Sequence, residues 1–345
     1  MRLECSVPVL VAFLMGGQAG AAGPESPAPE TLFVDVRVFD GRGKTLSAPT
    51  SVLVRGNSIA AVGAGAAGAH PGATIIQGRG RTLMPGLIDA HTHLVFETIS
   101  QVTALTADIG FVHVAAGKAA EEMLMRGFTS VRDVGGPVFG LKRAIDTGII
   151  AGYVTVHAYT PRAVRQAIEA GVKCIDHGQL LDEPTAKLMA EKGIWWSLQP
   201  FTDDRPSAYA EGSPNRKKQL QMFEGTDTAY KLARKYKVKT AWGTDILFSA
   251  ENAVRQGAML TKMVRWYTPA EALKMDTADN AQLLALSGER SPYPGKLGVV
   301  EAGALADLLL VDGDSLENIK LLEDPARTLL VVMKDGRIYR NALSP

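Results

Sequence analysis

The sequence predicts an α/β protein: a parallel βα core of the (β/α)8, TIM-like barrel type, incomplete, joined to a small β-sandwich built from both ends of the chain. Three observations carry this. From Gly86 to about Ser287, short apolar strands alternate with helix-length amphipathic stretches. Residues 31–86 and 306–339 share another texture, short strands separated by turn signals. Residue types that bind metals or move protons fall at the C-terminal ends of the core strands, where βα-barrels build their active sites.

At the N-terminus, Arg2, an apolar run from Val7 to Met15 and Ala19-Gly20-Ala21 follow the order of a secretory signal peptide, expected to cover residues 1–22 with cleavage near Ala21 or Ala22. The run is too short to span a bilayer. The β module then reads as Leu32 to Val38, a Phe39-Asp40-Gly41 turn, Ser51 to Arg55, Gly56-Asn57, Ile59 to Val62, and Thr74 to Ile76. Ala306 to Val311, Thr328 to Met333, the Asp335-Gly336 turn and Arg337 to Tyr339 repeat it. Residues 23–86 and 288–345 are therefore assigned to the composite sandwich and 87–287 to the barrel. Its expected strands are Leu87 to His93, Thr129 to Val134, Val154 to His157, Lys173 to His177, Ile194 to Leu198 and Val238 to Thr244. Helices fit over Val112 to Arg126, Arg162 to Ala170, Glu183 to Lys192 and Arg216 to Lys235.

A formal net charge of +1, from 37 basic and 36 acidic residues, gives no general field for nucleic acid or anionic lipid, so a small-molecule or dipeptide-like substrate is the expected partner. No Cys follows the apolar run where a lipid anchor could attach. Only Cys174 remains after cleavage, which excludes an intrachain disulfide and suits a small core side chain. The mature chain is expected to be secreted, in a periplasm, with no membrane attachment and with a homo-oligomer left open.

His91-Thr92-His93 closes the first core strand, and alternate strand residues face the same way, so both imidazoles can converge on one ion. His157, His177 and Asp245 end three further strands. A buried structural histidine would explain any one of them but not the set. His70, in a Gly/Pro-rich loop, and His113, near a helix start, read as solvated or capping residues. Tyr159 lies two residues beyond His157, so its hydroxyl could reach a substrate, or its ring could form part of the rim. Arg132-Asp133 could orient a ligand from the second strand but reads first as a structural ion pair, Arg216-Lys217-Lys218 as a solvated helix face, and Trp195-Trp196 as one ring in the core and one in the pocket wall.

The run Met84-Pro85-Gly86-Leu87-Ile88-Asp89-Ala90-His91-Thr92-His93-Leu94 resembles the opening motif of the metal-dependent amidohydrolase superfamily, in its imidazolonepropionase-like, Xaa-Pro dipeptidase-like branch. His157-Ala158-Tyr159, Ile175-Asp176-His177-Gly178, Gly243-Thr244-Asp245 and Gly303-Ala304-Leu305-Ala306-Asp307-Leu308 are similar to later motifs of that branch, and Gly127-Phe128-Thr129-Ser130-Val131-Arg132-Asp133 to its second strand. The resemblance implies that His91, His93 and Asp245 hold one metal, that His157 and His177 hold a second, and that a carboxylated Lys on the fourth strand bridges them.

That Lys has no place here. The chain runs from Arg132-Asp133 through one helix-like stretch to Ile149-Ile150-Ala151-Gly152 and directly into Tyr153-Val154-Thr155-Val156-His157, so strands three and four are expected to be absent, with a join at 152/153. Lys173 and Lys239 lie near strand beginnings, at the wrong end of a barrel. A deletion in the gene or its assembled sequence is favoured over an excision or a natural variant that closes with fewer strands.

The expected cofactor is Zn²⁺, one or two ions with one favoured, which would lower the pKa of a bound water from about 16 to about 7. Asp245 is the expected catalytic proton carrier and Tyr159 the candidate substrate contact. The reading is a hydrolase of carbon–nitrogen bonds, a dipeptidase or amidase. An inactive truncated homologue or binding protein, and a cyclic amidine deaminase, are the alternatives.

Overall fold

In the computed structural model the described residues are 28–66, 68–135, 155–204, 206–207, 209–291 and 293–343. The expected signal peptide, the join at Gly152-Tyr153 and the strand start at Val154 lie outside them. The strands are β1 (Glu30–Val38), β2 (Thr50–Arg55), β3 (Ser58–Val62), β4 (Thr74–Pro85), β5 (Leu87–Thr92), β6 (Phe128–Asp133), β7 (Thr155–Ala158), β8 (Cys174–His177), β9 (Trp195–Leu198), β10 (Thr240–Trp242), β11 (Leu308–Val311), β12 (Leu329–Lys334) and β13 (Arg337–Asn341).

Both ends of the chain build one seven-stranded mixed sheet, ordered β13-β12-β11-β4-β1-β2-β3. Its centre is β4, parallel to β1 (Val38 opposite Leu83) and antiparallel to β11 (Leu83 opposite Leu310). The pleat divides β11 between two cores. Leu308 and Leu310 pack with Phe33, Val52, Ile59 and Met333. Leu309 and Val311 turn the other way, toward Phe128, Trp196 and Trp242 of the βα core. Val52 and Met333 come from opposite ends of the sheet yet share a core because the sheet rolls over. The β2–β3 and β12–β13 turns meet: Gly336, at φ 71°, leaves so little room that a Cβ there would lie 1.8 Å from the Gly56 carbonyl oxygen. The hydrogen bonding is that of one continuous sheet, rather than the two facing sheets the turn pattern suggested.

The core strands are all parallel, β5 with β6, and β10-β9-β8-β7 in a second sheet. Between the two sheets stands Asn280, which donates to the carbonyls of Ile88 on β5 and Trp242 on β10 and accepts from the Trp242 amide. The Asp245 amide donates to the His91 carbonyl just beyond. Among the described residues the strands form no closed hydrogen-bonded ring; β6 pairs only with β5 and β7 only with β8.

Helices Pro161–Glu169, Glu183–Lys192 and Pro214–Tyr236 start at Thr160, Asp182 and Ser213, whose side-chain oxygens accept from the first-turn amides, each with Pro in that turn. They fall within two residues of the expected positions. The last core strand is shorter than expected, because the Val238 amide still closes the preceding helix on Ala233 and the Thr244 amide turns to Asp89. Among the described residues no helix is long and apolar enough to cross a membrane.

Two readings are corrected by packing. Trp195 and Trp196 are both buried, Trp196 donating to the His177 carbonyl and Trp195 packing on Ile88, Cys174 and Ala241. Arg216 is buried rather than solvated and grips both carboxylate oxygens of Asp203, each at 2.9 Å.

Candidate metal centre

The five residues singled out from the sequence converge. His91 comes from β5, His93 from the residue after it, His157 from β7, His177 from the end of β8 and Asp245 from the loop after β10. Nε2 of His93 lies 3.1 Å and Nε2 of His91 3.2 Å from the same Asp245 carboxylate oxygen. Nε2 of His177 lies 2.7 Å from Nδ1 of His157. Ring centroids of His91 stand 5.6 Å from His93, 5.2 Å from His157 and 4.9 Å from His177. Ligand-type atoms form two groups, His91/His93/Asp245 and His91/His157/His177, each within 4.8 Å of one another.

Backbone conformation helps to aim them. His177 and Asp245 have φ of 75° and 54°, the left-handed region that non-glycine residues rarely occupy. The Trp196 indole on the His177 carbonyl, and the hydrogen bond from the Asp245 amide to His91, hold both in place. Gly243 lets β10 approach β5, since a Cβ there would lie 2.4 Å from that of His91.

The electrostatics are strongly biased. Burial alone would lower the His91 imidazole, but Asp176 and Asp245 outweigh it and raise it to about 9. Burial opposes ionisation of Asp245, yet His91 and His93 hold its carboxyl well below the usual carboxylate range. Burial and the neighbouring His91 charge lower His177 to about 4. Carboxylates set against the imidazoles thus favour positive charge at this point. The residues fit a divalent ion: imidazoles with a carboxylate are a common Zn²⁺ donor set, and the buried Nε2 of His91 makes no hydrogen bond among the described residues.

Sequence reasoning missed the layer behind these residues. Asp176, fully buried, lies 2.9 Å from Nδ1 of His91 and accepts from Arg132 at 2.6 Å and from the Thr155 hydroxyl. Arg132 is thus committed to Asp176, with Asp133 instead accepting from the Leu94 and Gly135 amides. Gln199 orients Nδ1 of His177 at 2.9 Å. Asp89 accepts from the His91 amide, the Thr244 hydroxyl and Gln256. Only Asp176 left a signal, a carboxylate one residue before a ligand-type His inside an apolar strand.

Tyr159 stacks on His177, centroids 4.6 Å apart and planes 6° from parallel, with 37% of its surface exposed. Cys174 is buried, with its thiol raised to about 12 by burial. Lys173 and Lys239 directly precede β8 and β10, at the ends away from His177 and Asp245. His113 is exposed, its Nδ1 2.7 Å from the Ile109 carbonyl. His70 pairs with Glu30 at 3.4 Å.

The chain matches the model of the amidohydrolase family over residues 82–153 and 152–339. It is 29% identical over 196 residues to the ochratoxinase of Aspergillus niger, a match covering 54% of this chain but only 38% of that protein. Among solved structures, a prolidase complexed with N-methylphosphonate-L-proline superposes with a TM-score of 0.77 at 24% identity, covering 90% of this chain and 100% of the other. A Xaa-Pro dipeptidase with bound methionine gives 0.75 at 22% identity, with coverage of 90% and 100%. The A. niger ochratoxinase structure gives 0.75 at 18%, with coverage of 92% and 97%, so these likenesses establish the fold. With its family match spanning both the strands that carry the histidines and the loop that carries Asp245, this chain belongs to the amidohydrolase family.

Proposed function

We propose that the protein is a metal-dependent hydrolase of amide or peptide carbon–nitrogen bonds, with His91, His93 and Asp245 as one ligand group and His157 and His177 as donors beside it. The observation that carries this reading is the convergence of Nε2 of both His91 and His93 on one oxygen of Asp245. A divalent ion held there, Zn²⁺ by its donor preference, supplies an acidified water and a polarised substrate carbonyl. Asp245 accepts the proton of the attacking water and returns it to the leaving nitrogen, so the amide C–N bond breaks without a covalent enzyme intermediate. Asp176 fixes His91 through Nδ1 and Gln199 fixes His177, so both imidazoles keep one orientation. The Tyr159 hydroxyl, at the rim, donates to the substrate carbonyl or carboxylate.

The relatives named for ochratoxin, prolyl and Xaa-Pro substrates support an amide substrate and leave the individual one open. We place the strands as a TIM-like barrel lacking two βα units between β6 and β7, supported by their unshared pairing and by the two family-matched segments meeting at 152–153. The leader-like order of Arg2, Val7 to Met15 and Ala19 to Ala21 supports secretion to a periplasm. Protein stripped by a chelator and reloaded separately with Zn²⁺, Co²⁺ or Mn²⁺ is assayed on N-acyl amino acids and Xaa-Pro dipeptides. Chelator-sensitive, metal-restored release of the free amino acid is expected, and its absence with every ion rejects the reading in favour of an inactive homologue.

A further inference from the structure

Behind the metal-type residues, a run of buried side chains leads away from Asp89. This carboxylate joins the end of β5 to the loop after β10. Its Oδ1 accepts from the His91 amide at 3.0 Å and the Thr244 amide at 3.1 Å, and its Oδ2 from the Thr244 hydroxyl at 2.7 Å. One group thus spaces His91 from Asp245, the residue after Thr244. Its fourth donor comes from outside the strands: the Gln256 side-chain amide lies 2.8 Å from Oδ2.

Gln256 opens the helix Gln256–Thr261 and is fully buried. Its amide has one favoured direction. The nitrogen donates to Asp89 and the oxygen accepts from Nε of Arg126 at 3.3 Å, so an anion stands on one side and a cation on the other. Turned over, the amide would set its oxygen against the carboxylate and its hydrogens against the guanidinium. Arg126, which caps the helix Ile109–Met125, is held in turn by Glu97, whose Oε1 accepts from Nη2 at 3.0 Å. Asp89, Gln256, Arg126 and Glu97 therefore form one line of hydrogen bonds, all four buried.

Both ends of the line are anchored. A Cβ on Gly257 would collide with the Leu322 carbonyl, so the helix that carries Gln256 is seated against the C-terminal segment. At the other end the Ser249 amide donates to the Glu97 carbonyl at 3.1 Å, which closes the loop after Asp245 onto the loop after His93.

We propose that Gln256 and Arg126 are positioning residues of the metal centre: Gln256 completes the donors on Asp89, which holds His91 and Asp245 at one spacing, and Arg126 fixes the way Gln256 points. Both act through Asp89. This deepens the hydrolase reading and rests on it for the ion and for turnover.

Zn²⁺ affinity is measured on the full, chelator-stripped chain by competition with a chromophoric chelator, and kcat and KM on the metal-loaded protein with a Xaa-Pro dipeptide. Q256L removes the donor to Asp89. E97L/R126M exchanges the buried ion pair for apolar groups of similar size, which folds tolerate, and leaves Gln256 free to turn. Each is expected to weaken Zn²⁺ binding about tenfold and to lower kcat with KM unchanged. R126K is expected to fall between them and wild type, because an ammonium lacks the planar fork that reaches Gln256 and Glu97 together. K118A, on the exposed face of the helix that Arg126 caps, is expected to match wild type. Thermal midpoints report that each variant folds. Wild-type affinity in folded Q256L or folded E97L/R126M, or a loss in K118A as large as theirs, overturns the assignment. Weakened Zn²⁺ binding in these variants, with no turnover even by wild type, sinks the hydrolase reading and leaves the positioning role standing. A wild type that takes up none of Zn²⁺, Co²⁺ and Mn²⁺ sinks both.

Discussion

Asp176 lies 2.9 Å from Nδ1 of His91, in a position closed to solvent, and carries the Arg132 guanidinium on the same oxygen. One carboxylate thus fixes the tautomer of an imidazole on β5 and neutralises a cation on β6. Asp176→Asn keeps the shape but removes the charge. It is expected to weaken Zn²⁺ binding by about 10- to 100-fold, and to destabilise the fold by about 3–5 kcal/mol by removing the buried charge shared by His91 and Arg132. Metal titration and denaturant unfolding read the two effects separately; unchanged affinity would show that His91 needs no support from Asp176.

In the proposed mechanism Asp245 has a double task, as ligand and as proton carrier. Asp245→Asn is expected to lower kcat on amide substrates by about 10²- to 10⁴-fold, with far-ultraviolet circular dichroism unchanged because the strand amides do not depend on its charge. Near-normal turnover in this variant would move the proton transfer to another group.

Gly243 tolerates no side chain, since an added Cβ would lie 2.4 Å from Cβ and 2.6 Å from the backbone nitrogen of His91. Gly243→Ala is expected to cost about 1–3 kcal/mol by forcing β10 away from β5, and to lower Zn²⁺ affinity with it because Asp245 travels with β10. Stability lost while metal binding stays intact would mean that the two sheets adjust independently.

Glu97 is buried against Arg126 at 3.0 Å, and burial pushes its carboxyl up to about 7 from an ordinary 4.5. The folded protein therefore holds this proton more tightly than the unfolded chain. Its contribution favours the fold below about pH 4.5 and is lost as pH rises through about 7. Glu97→Gln cannot ionise, so the stability of wild type relative to this variant is expected to fall by on the order of 1–3 kcal/mol between pH 4.5 and 7.5. Urea unfolding at several pH values measures the difference, and parallel profiles would contradict it.

The residues that converge were legible in the sequence, but what holds them was not. His91, His93, His157 and His177 were legible because a period-2 strand ending in a polar residue is a local pattern, and because four of the six histidines share that position. Asp176, Gln199 and Arg132 were not, since their partners lie 85, 22 and 44 residues away and no local period connects them. Proximity in sequence points Arg132 to the adjacent Asp133, whereas the fold offers it a buried carboxylate two strands along. The two lysines beside Arg216 point it to solvent, but the loop before its helix brings Asp203 within reach. The rolled terminal sheet was legible as two halves only; what unites them is the pairing of β4 with β11.

That pairing also sets a timetable. Leu83 waits for Leu310, so during synthesis the edge of β4 stays open until more than two hundred further residues have been made. Over that interval the apolar strands of the first hundred residues have only each other for cover. The nascent chain is open to misassembly over that interval, and the segment that carries Leu310 completes the sheet on which the histidine-bearing strands rest.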